Sequence, residues 1–230
     1  MPNEIQNEIL DFHKRLASDL NHRYRSWEHC FAHFRGHCSF TTPSRIDTAA
    51  LHLAFYLASW GMYRGSSKLL QKDYKIPQPA VSKLLDHSYD DLWELDCGDS
   101  AHDGPTADSI ISLSDAIKAT YRDFQPTDTL LTKILLGTVG CAPACDQYFI
   151  IGLRDSGHLE LQYSRFNSNF LCRMFHFCRE HKEAFREAQE VITKSSGIHY
   201  PIMKLADMYF WNIGFRISAK DKADKVNDET

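Results

Sequence analysis

Glycine and proline are scarce in this chain, with 11 and 8 residues among 230. That disfavours an architecture of many short strands joined by tight turns. Long apolar runs are also missing: each is broken well short of the roughly 20 residues that span a bilayer. No apolar stretch follows Met1, so no signal peptide is read there. There is no surplus of positive charge, since the formal net charge is −4 with histidine neutral, which argues against strong non-specific polyanion binding but not against a local basic face. No internal repeat, low-complexity tract or phosphate-cradling loop is present: Gly61-Met-Tyr-Arg-Gly65 lacks the Gly-Lys-Ser/Thr ending. The 7 cysteines are odd in number and scattered, and none form a Cys-x-x-Cys pair. These features point to a cytoplasmic protein with reduced thiols, no membrane partner and no cofactor.

What is present is helical periodicity and a rich aromatic complement of 14 Phe, 10 Tyr and 4 Trp. Ile5, Ile9, Leu10, Phe12, Leu16 and Leu20 recur at helical spacing. A second helix is expected over 26–35, ending at Gly36, and a strongly apolar one from Ile46 to Trp60, apolar enough to be the central helix. Ser66 or Ser67 is expected to cap a short helix through Leu69 and Leu70, and short helices are expected over 79–86 and 88–95. The segment Asp96 to Pro105 is the clearest loop and the expected place of a lobe division, near 96–106. Further helices are expected from Thr106 to Asp123, from Thr127 or Asp128 through Leu136, from Asp146 through Leu153, within 161–193, and from Pro201 to Phe215. The polar end, 218–230, reads as disordered. The expected fold is thus an all-α, compact multi-helix domain over 1–217 with two helical lobes.

Residues 133–149 are the most informative stretch. An apolar helix runs into a Gly/Pro turn, Gly137-Thr-Val-Gly-Cys-Ala-Pro143, and Asp146 opens the next helix. A carboxylate there can cap the first turn and favour the positive end of the helix dipole, or it can face a cleft and act chemically. The two roles are compatible.

The order helix, hairpin, helix, Pro-containing loop and Asp at a helix start, over about residues 107–155, resembles the helix-hairpin-helix superfamily of DNA glycosylases, with the 8-oxoguanine-glycosylase-like fold. Asp207 with Tyr209, Phe210 and Trp211 on the closing helix adds to the resemblance. The resemblance implies a DNA partner and excision of a modified or damaged base. Asp146 would be the general base or cation stabiliser, with Lys133 the second catalytic candidate. Lys133 and Arg64 would supply phosphate contacts, and Tyr63, Trp60 and Thr127 would complete the nucleic-acid surface. Two family features are absent: the connection Phe124-Gln-Pro-Thr-Asp128 has no glycine, and Lys133 lies a helical turn or more beyond the hairpin mouth where the family's nucleophilic lysine stands. The alternative from a different class is a non-enzymatic helical module that binds another protein through its aromatic clusters.

Other constellations have plainer readings. His29, Cys30, His33, His37 and Cys38 hold metal-ligating side chains, but without the Cys pairs of a closed zinc site, and Gly36 breaks the helix before His37. They read as a His-rich amphipathic helix packing Phe31 and Phe34 inward. Cys141 and Cys145 read as close-packing positions, and Asp99-Ser-Ala-His102-Asp103 as a solvated loop. Arg23, Tyr24, Arg25 and Trp27 form one Arg–aromatic cluster, and Tyr163, Arg165, Phe166, Asn167 and Asn169 another. Such mixtures suit unpaired bases or helix ends.

Overall fold

The computed structural model describes residues 4–65, 67–95 and 100–228. Among them all regular structure is helical, which makes this an all-α domain. In chain order the helices are α1 (Glu4–Ala17), α2 (Arg25–Phe34), α3 (Pro43–Ser59), α4 (Gln78–Leu84), α5 (Asp103–Lys118), α6 (Asp128–Gly137), α7 (Gln147–Asp155), α8 (Ser168–Glu180), α9 (Lys182–Ser196) and α10 (Ile202–Asp228). A 3-10 segment at His87–Glu94 and shorter ones at His37–Ser39, Ser100–His102 and Leu159–Leu161 join them.

The helix starts follow local chemistry. Thr42, Thr127, Asp146 and Asn167 each sit in extended backbone and accept a hydrogen bond from the amide three residues on, at 3.4, 3.3, 3.1 and 2.9 Å. Each satisfies one of the donors that a helix start leaves free.

The buried residues form one continuous cluster from Ile5 in α1 to Ile213 in α10. Its axis is α10, in which every residue from 203 to 214 is buried. That helix packs on α7, α1 and α9. The central position expected for the apolar helix 46–60 therefore belongs to α10: α3 buries Ala49, Leu53, Tyr56 and Leu57 but leaves Leu51 49 % and Phe55 62 % exposed. α3 packs on α2, α4 and α6 only along one side. An all-round apolar composition did not translate into all-round burial.

Several boundaries differ from expectation. No helix forms at 67–72; Ser67 instead closes a turn, donating to the Met62 carbonyl and accepting from the Leu69 amide. Ser66 lies outside the described residues, as do 96–99, the first part of the 96–106 segment where the lobe division was expected. Helix α5 starts at Asp103, inside the expected loop, and the Arg179 guanidinium donates two hydrogen bonds to the Asp103 carboxylate. Finally, α10 continues to Asp228 where a disordered end was expected. Extending an existing helix through Ala- and Lys-rich sequence needs no new nucleation.

Candidate functional site

Asp146 reaches its position through the turn between α6 and α7. Gly140, at φ +79°, lets the chain reverse and donates to the Leu135 carbonyl at 2.8 Å. The returning strand of chain is then fastened along α6. The Cys145 amide donates to Thr132 Oγ1 and Thr129 Oγ1 donates to the Cys145 carbonyl, both at 2.9 Å. This zippering sets Asp146 beside Lys133, whose Nζ donates to Asp146 Oδ2 at 2.8 Å. Asp146 Oδ1 meanwhile accepts the Phe149 amide. The cap and the charged partner are therefore two oxygens of one carboxylate.

A second pair lies alongside. Lys204 Nζ donates to Asp207 Oδ2 at 2.8 Å, and Asp207 Oδ1 accepts the Ala144 amide at 3.1 Å. Both pairs line one narrow pocket with Tyr56, Trp60, Leu136, Ala144 and Trp211. Tyr56 comes to its wall because Gly137 of α6 has no side chain: a Cβ there would stand 2.3 Å from the Tyr56 ring. The pocket is a narrow crevice with no room for a water molecule.

The pocket's charge is concentrated and shielded. Lys133 and Lys204 are each only 3 % exposed at the side chain, Asp207 4 % and Asp146 15 %. Aromatic faces stand in for solvent around the ammonium groups. Lys133 Nζ is 5.0 Å from the Trp60 ring centre, and Lys204 Nζ is 5.1 to 5.5 Å from those of Trp27, Phe12 and Trp60. Burial pushes the Asp207 carboxyl above its ordinary value, with the Lys204 charge pulling it back and the Asp146 charge adding to the rise. Burial, then the carboxylate of Asp207, drives the Tyr56 hydroxyl well above the ordinary phenol range.

Taking four ionised groups out of water costs several kcal/mol each before pairing repays part of it. Perturbed titratable groups gathered in a pocket are characteristic of sites that do chemistry.

The residues singled out in the sequence divide into two sets. Asp146, Lys133 and Trp60 meet at the pocket. Lys133 is buried, so it is not a surface phosphate contact, and its distance along the chain from the expected hairpin gave no hint of its contact with Asp146. Arg64, Tyr63 and Thr127 do not line the pocket. Arg64 is exposed and folds back over Gly61, its Nε 2.7 Å from where a Cβ would stand there. The Tyr63 hydroxyl donates to the Asp73 carbonyl and is pushed up to about 12 by burial and the Asp73 charge. Thr127 caps α6. Lys204 and Tyr56 escaped the sequence reading, and Asp207 entered it only through the resemblance. The signal for Lys204 and Asp207 was two charges three residues apart inside the apolar run from 202 to 214.

The other candidates resolve into packing. Cys30 is in the core, the His33 ring stacks on His52 at 4.0 Å, and His37 stacks on Trp93 at 3.9 Å. Among the described residues no group of three or more His, Cys, Asp or Glu is arranged to hold a metal ion. Tyr24 stacks on Trp60 at 4.6 Å, which ties the first Arg–aromatic cluster to the pocket wall. In the second cluster Tyr163 Oη and the Phe166 amide both donate to Asp128 Oδ2, and Asn167 caps α8. Asp99 lies outside the described residues. No described helix is long and apolar enough to cross a membrane.

No protein-family model matches the chain, and neither a curated protein nor a solved structure matches it.

Proposed function

We propose that the chain cleaves the N-glycosidic bond of a modified or damaged nucleobase in DNA, with the Lys133–Asp146 pair as its reactive centre. The observation that carries this reading is the 2.8 Å contact between a buried amine and a buried carboxylate against the Trp60 ring. An amine and a carboxylate in contact are the two groups that such chemistry uses. When Lys133 passes its proton to Asp146, the free amine can form a bond to C1′ of the sugar. The C1′–N bond breaks as that bond forms, and the base leaves with the bonding electrons and takes up the proton that the new Lys133–C1′ ammonium loses; the C1′–O4′ bond then opens, O4′ taking the proton held by Asp146, which leaves the C1′=N iminium that borohydride reduces. Trp60, half-buried at the end of α3, provides the aromatic face that an extruded base needs.

The test is incubation with duplex and single-stranded oligonucleotides carrying single modified bases, with and without borohydride. The expected result is base release and a borohydride-trapped covalent complex, both lost in Lys133→Gln and Asp146→Asn proteins that remain folded. No release, no trapping and no affinity for DNA even at low salt would overturn the reading.

A second reading, a helical module that docks on another protein, is favoured by Leu51 and Phe55, which are exposed one turn apart on α3. Binding that survives Asp146→Asn and is lost on Phe55→Ser would support it.

A further inference from the structure

A separate cleft opens where the end of α2, the 3-10 segment at His87–Glu94, α9 and the start of α10 meet the turn between α6 and α7. It holds about 640 Å³, within the roughly 300–1,000 Å³ that small ligands occupy. Gly140 makes its floor possible. A Cβ there would stand 2.6 Å from Pro201 Cγ and 3.0 Å from the Phe31 ring, so glycine lets the chain before α10 settle onto the turn. Gln189 Nε2 donates to the Tyr200 carbonyl at 2.6 Å and ties that chain to α9. Half-buried Ile198, Pro201 and Ile202, with Val139, then present an aliphatic surface.

The charged residues around this surface are mostly of one sign. Lys182 and Arg186 come from successive turns of α9 and Arg35 from the end of α2, while Glu94 is the one carboxylate among the lining residues. The larger cleft between α3, α4 and α5 is balanced, with Lys83 and Arg122 against Asp47 and Asp123. The cations of the first cleft are also available. Arg35 pairs with Glu94, and Arg186 with Glu183 and Glu190, all through exposed side chains. Lys182 forms no ion pair with another described residue. Exposed pairs are weak and exchange readily for the charge of a ligand.

We infer that this cleft binds a medium-chain aliphatic carboxylate, its chain on Ile198, Pro201 and Ile202 and its head paired with Lys182 and Arg186. The chain gains affinity by leaving water, and the guanidinium fork of Arg186 fixes the head. No bond is made or broken. The inference stands apart from the base-excision reading, because no residue of this cleft lines the narrow pocket of Lys133 and Asp146.

The test is calorimetric titration of the full chain at low salt with acetate, hexanoate, octanoate and decanoate, all below micelle-forming concentrations. Octanol and octylamine are the head-group controls. The expected affinity rises about two- to fourfold per added methylene. Octanoate should bind at least about tenfold tighter than octanol or octylamine. The double variant Lys182→Gln/Arg186→Gln should lose that preference; both side chains are exposed, and a urea midpoint checks that it stays folded. Ile202→Ser should flatten the dependence on chain length. No binding, acetate binding as tightly as octanoate, octanol binding as tightly as octanoate, or a preference kept in the double variant would each overturn the inference. So would a loss of octanoate binding in Lys83→Gln, which lies in the balanced cleft. A duplex oligonucleotide that displaces octanoate from the parent chain and fails to bind the double variant would assign the cations to a phosphate backbone, which also overturns it.

Discussion

Gly152 of α7 and Gly214 of α10 meet backbone to backbone where the two helices cross. A Cβ on Gly152 would stand 1.8 Å from the Phe210 carbonyl oxygen, and one on Gly214 would stand 1.9 Å from that of Tyr148. The obstructing atoms belong to helix backbone and cannot rotate aside, so the whole crossing would have to open. Because α10 carries Lys204 and Asp207 and α7 is capped by Asp146, this crossing also fixes the spacing of the two charged pairs. We expect Gly152→Ala or Gly214→Ala to destabilise the fold by more than the ~1–3 kcal/mol typical of overpacking. Gly104→Ala, in a helix with open space around it, should be neutral or stabilising by up to ~1 kcal/mol. Urea denaturation of the three variants checks the contrast.

The thiols divide sharply by burial. Cys30, Cys141 and Cys145 are in the core, and burial holds all three thiols far above their ordinary value, Cys141 at about 12. Since the thiolate is the reactive form, they should resist alkylation at neutral pH, while exposed Cys38 reacts. Peptide mapping after iodoacetamide treatment of native protein should find label on Cys38 and none on those three until denaturant is added.

Acid should loosen the contact between α2 and α3. The stacked imidazoles of His33 and His52 are both held below their ordinary value of 6.5, His33 by burial and then by His52, and His52 by burial and then by His29. Arg45, lining the same cleft as His33, adds a further positive charge. A depressed histidine is neutral in the folded chain while the unfolded chain still takes up a proton near 6.5. Stability from these groups is therefore complete above that value and is lost as pH falls through the lowered folded values. His13 and His181 are depressed in the same direction, also chiefly by burial. Denaturation midpoints should be flat above neutrality and decline below about pH 6.5, and His52→Gln should make the decline shallower. An unchanged slope would refute the assignment to this pair.

What could be read from the sequence followed from local rules. The helical class, the caps at Thr127 and Asp146, and the helix end before Gly36 depend on neighbours within a few residues. What could not be read depended on chain reversal. Lys133 and Asp146 are 13 residues apart and meet only because Thr129 and Thr132 fasten the returning turn to α6. The central helix was misjudged for a similar reason. Apolar content marks a helix that can be buried, but which one lies at the axis depends on small residues such as Gly152 and Gly214 that let another helix approach. Nothing in the spacing of Arg64, Tyr63 and Thr127 showed that they stand apart from the pocket.

The Lys204–Asp207 pair should respond asymmetrically to loss of either partner. In Asp207→Asn the amide oxygen can still accept from the Ala144 amide, but the Lys204 ammonium is left buried without a counter-charge among Phe12, Trp27 and Trp60. Breaking a buried pair in this way costs about 3–5 kcal/mol. In Lys204→Met the stranded group is a carboxylate whose burial already favours the protonated form. It can take up a proton and become a neutral hydrogen-bonding acid. The sign then follows: the folded variant binds a proton that the unfolded chain, at the ordinary carboxyl value of 3.8, does not hold until lower pH. The stability deficit of Lys204→Met should therefore shrink as pH is lowered from 8 to 5, roughly in the range where raised carboxyls titrate, while that of Asp207→Asn should not recover. Guanidinium denaturation of both variants against the parent chain across that range decides it. Parallel deficits at every pH would mean that Asp207 stays ionised without Lys204, held by Lys133 and the Ala144 amide alone.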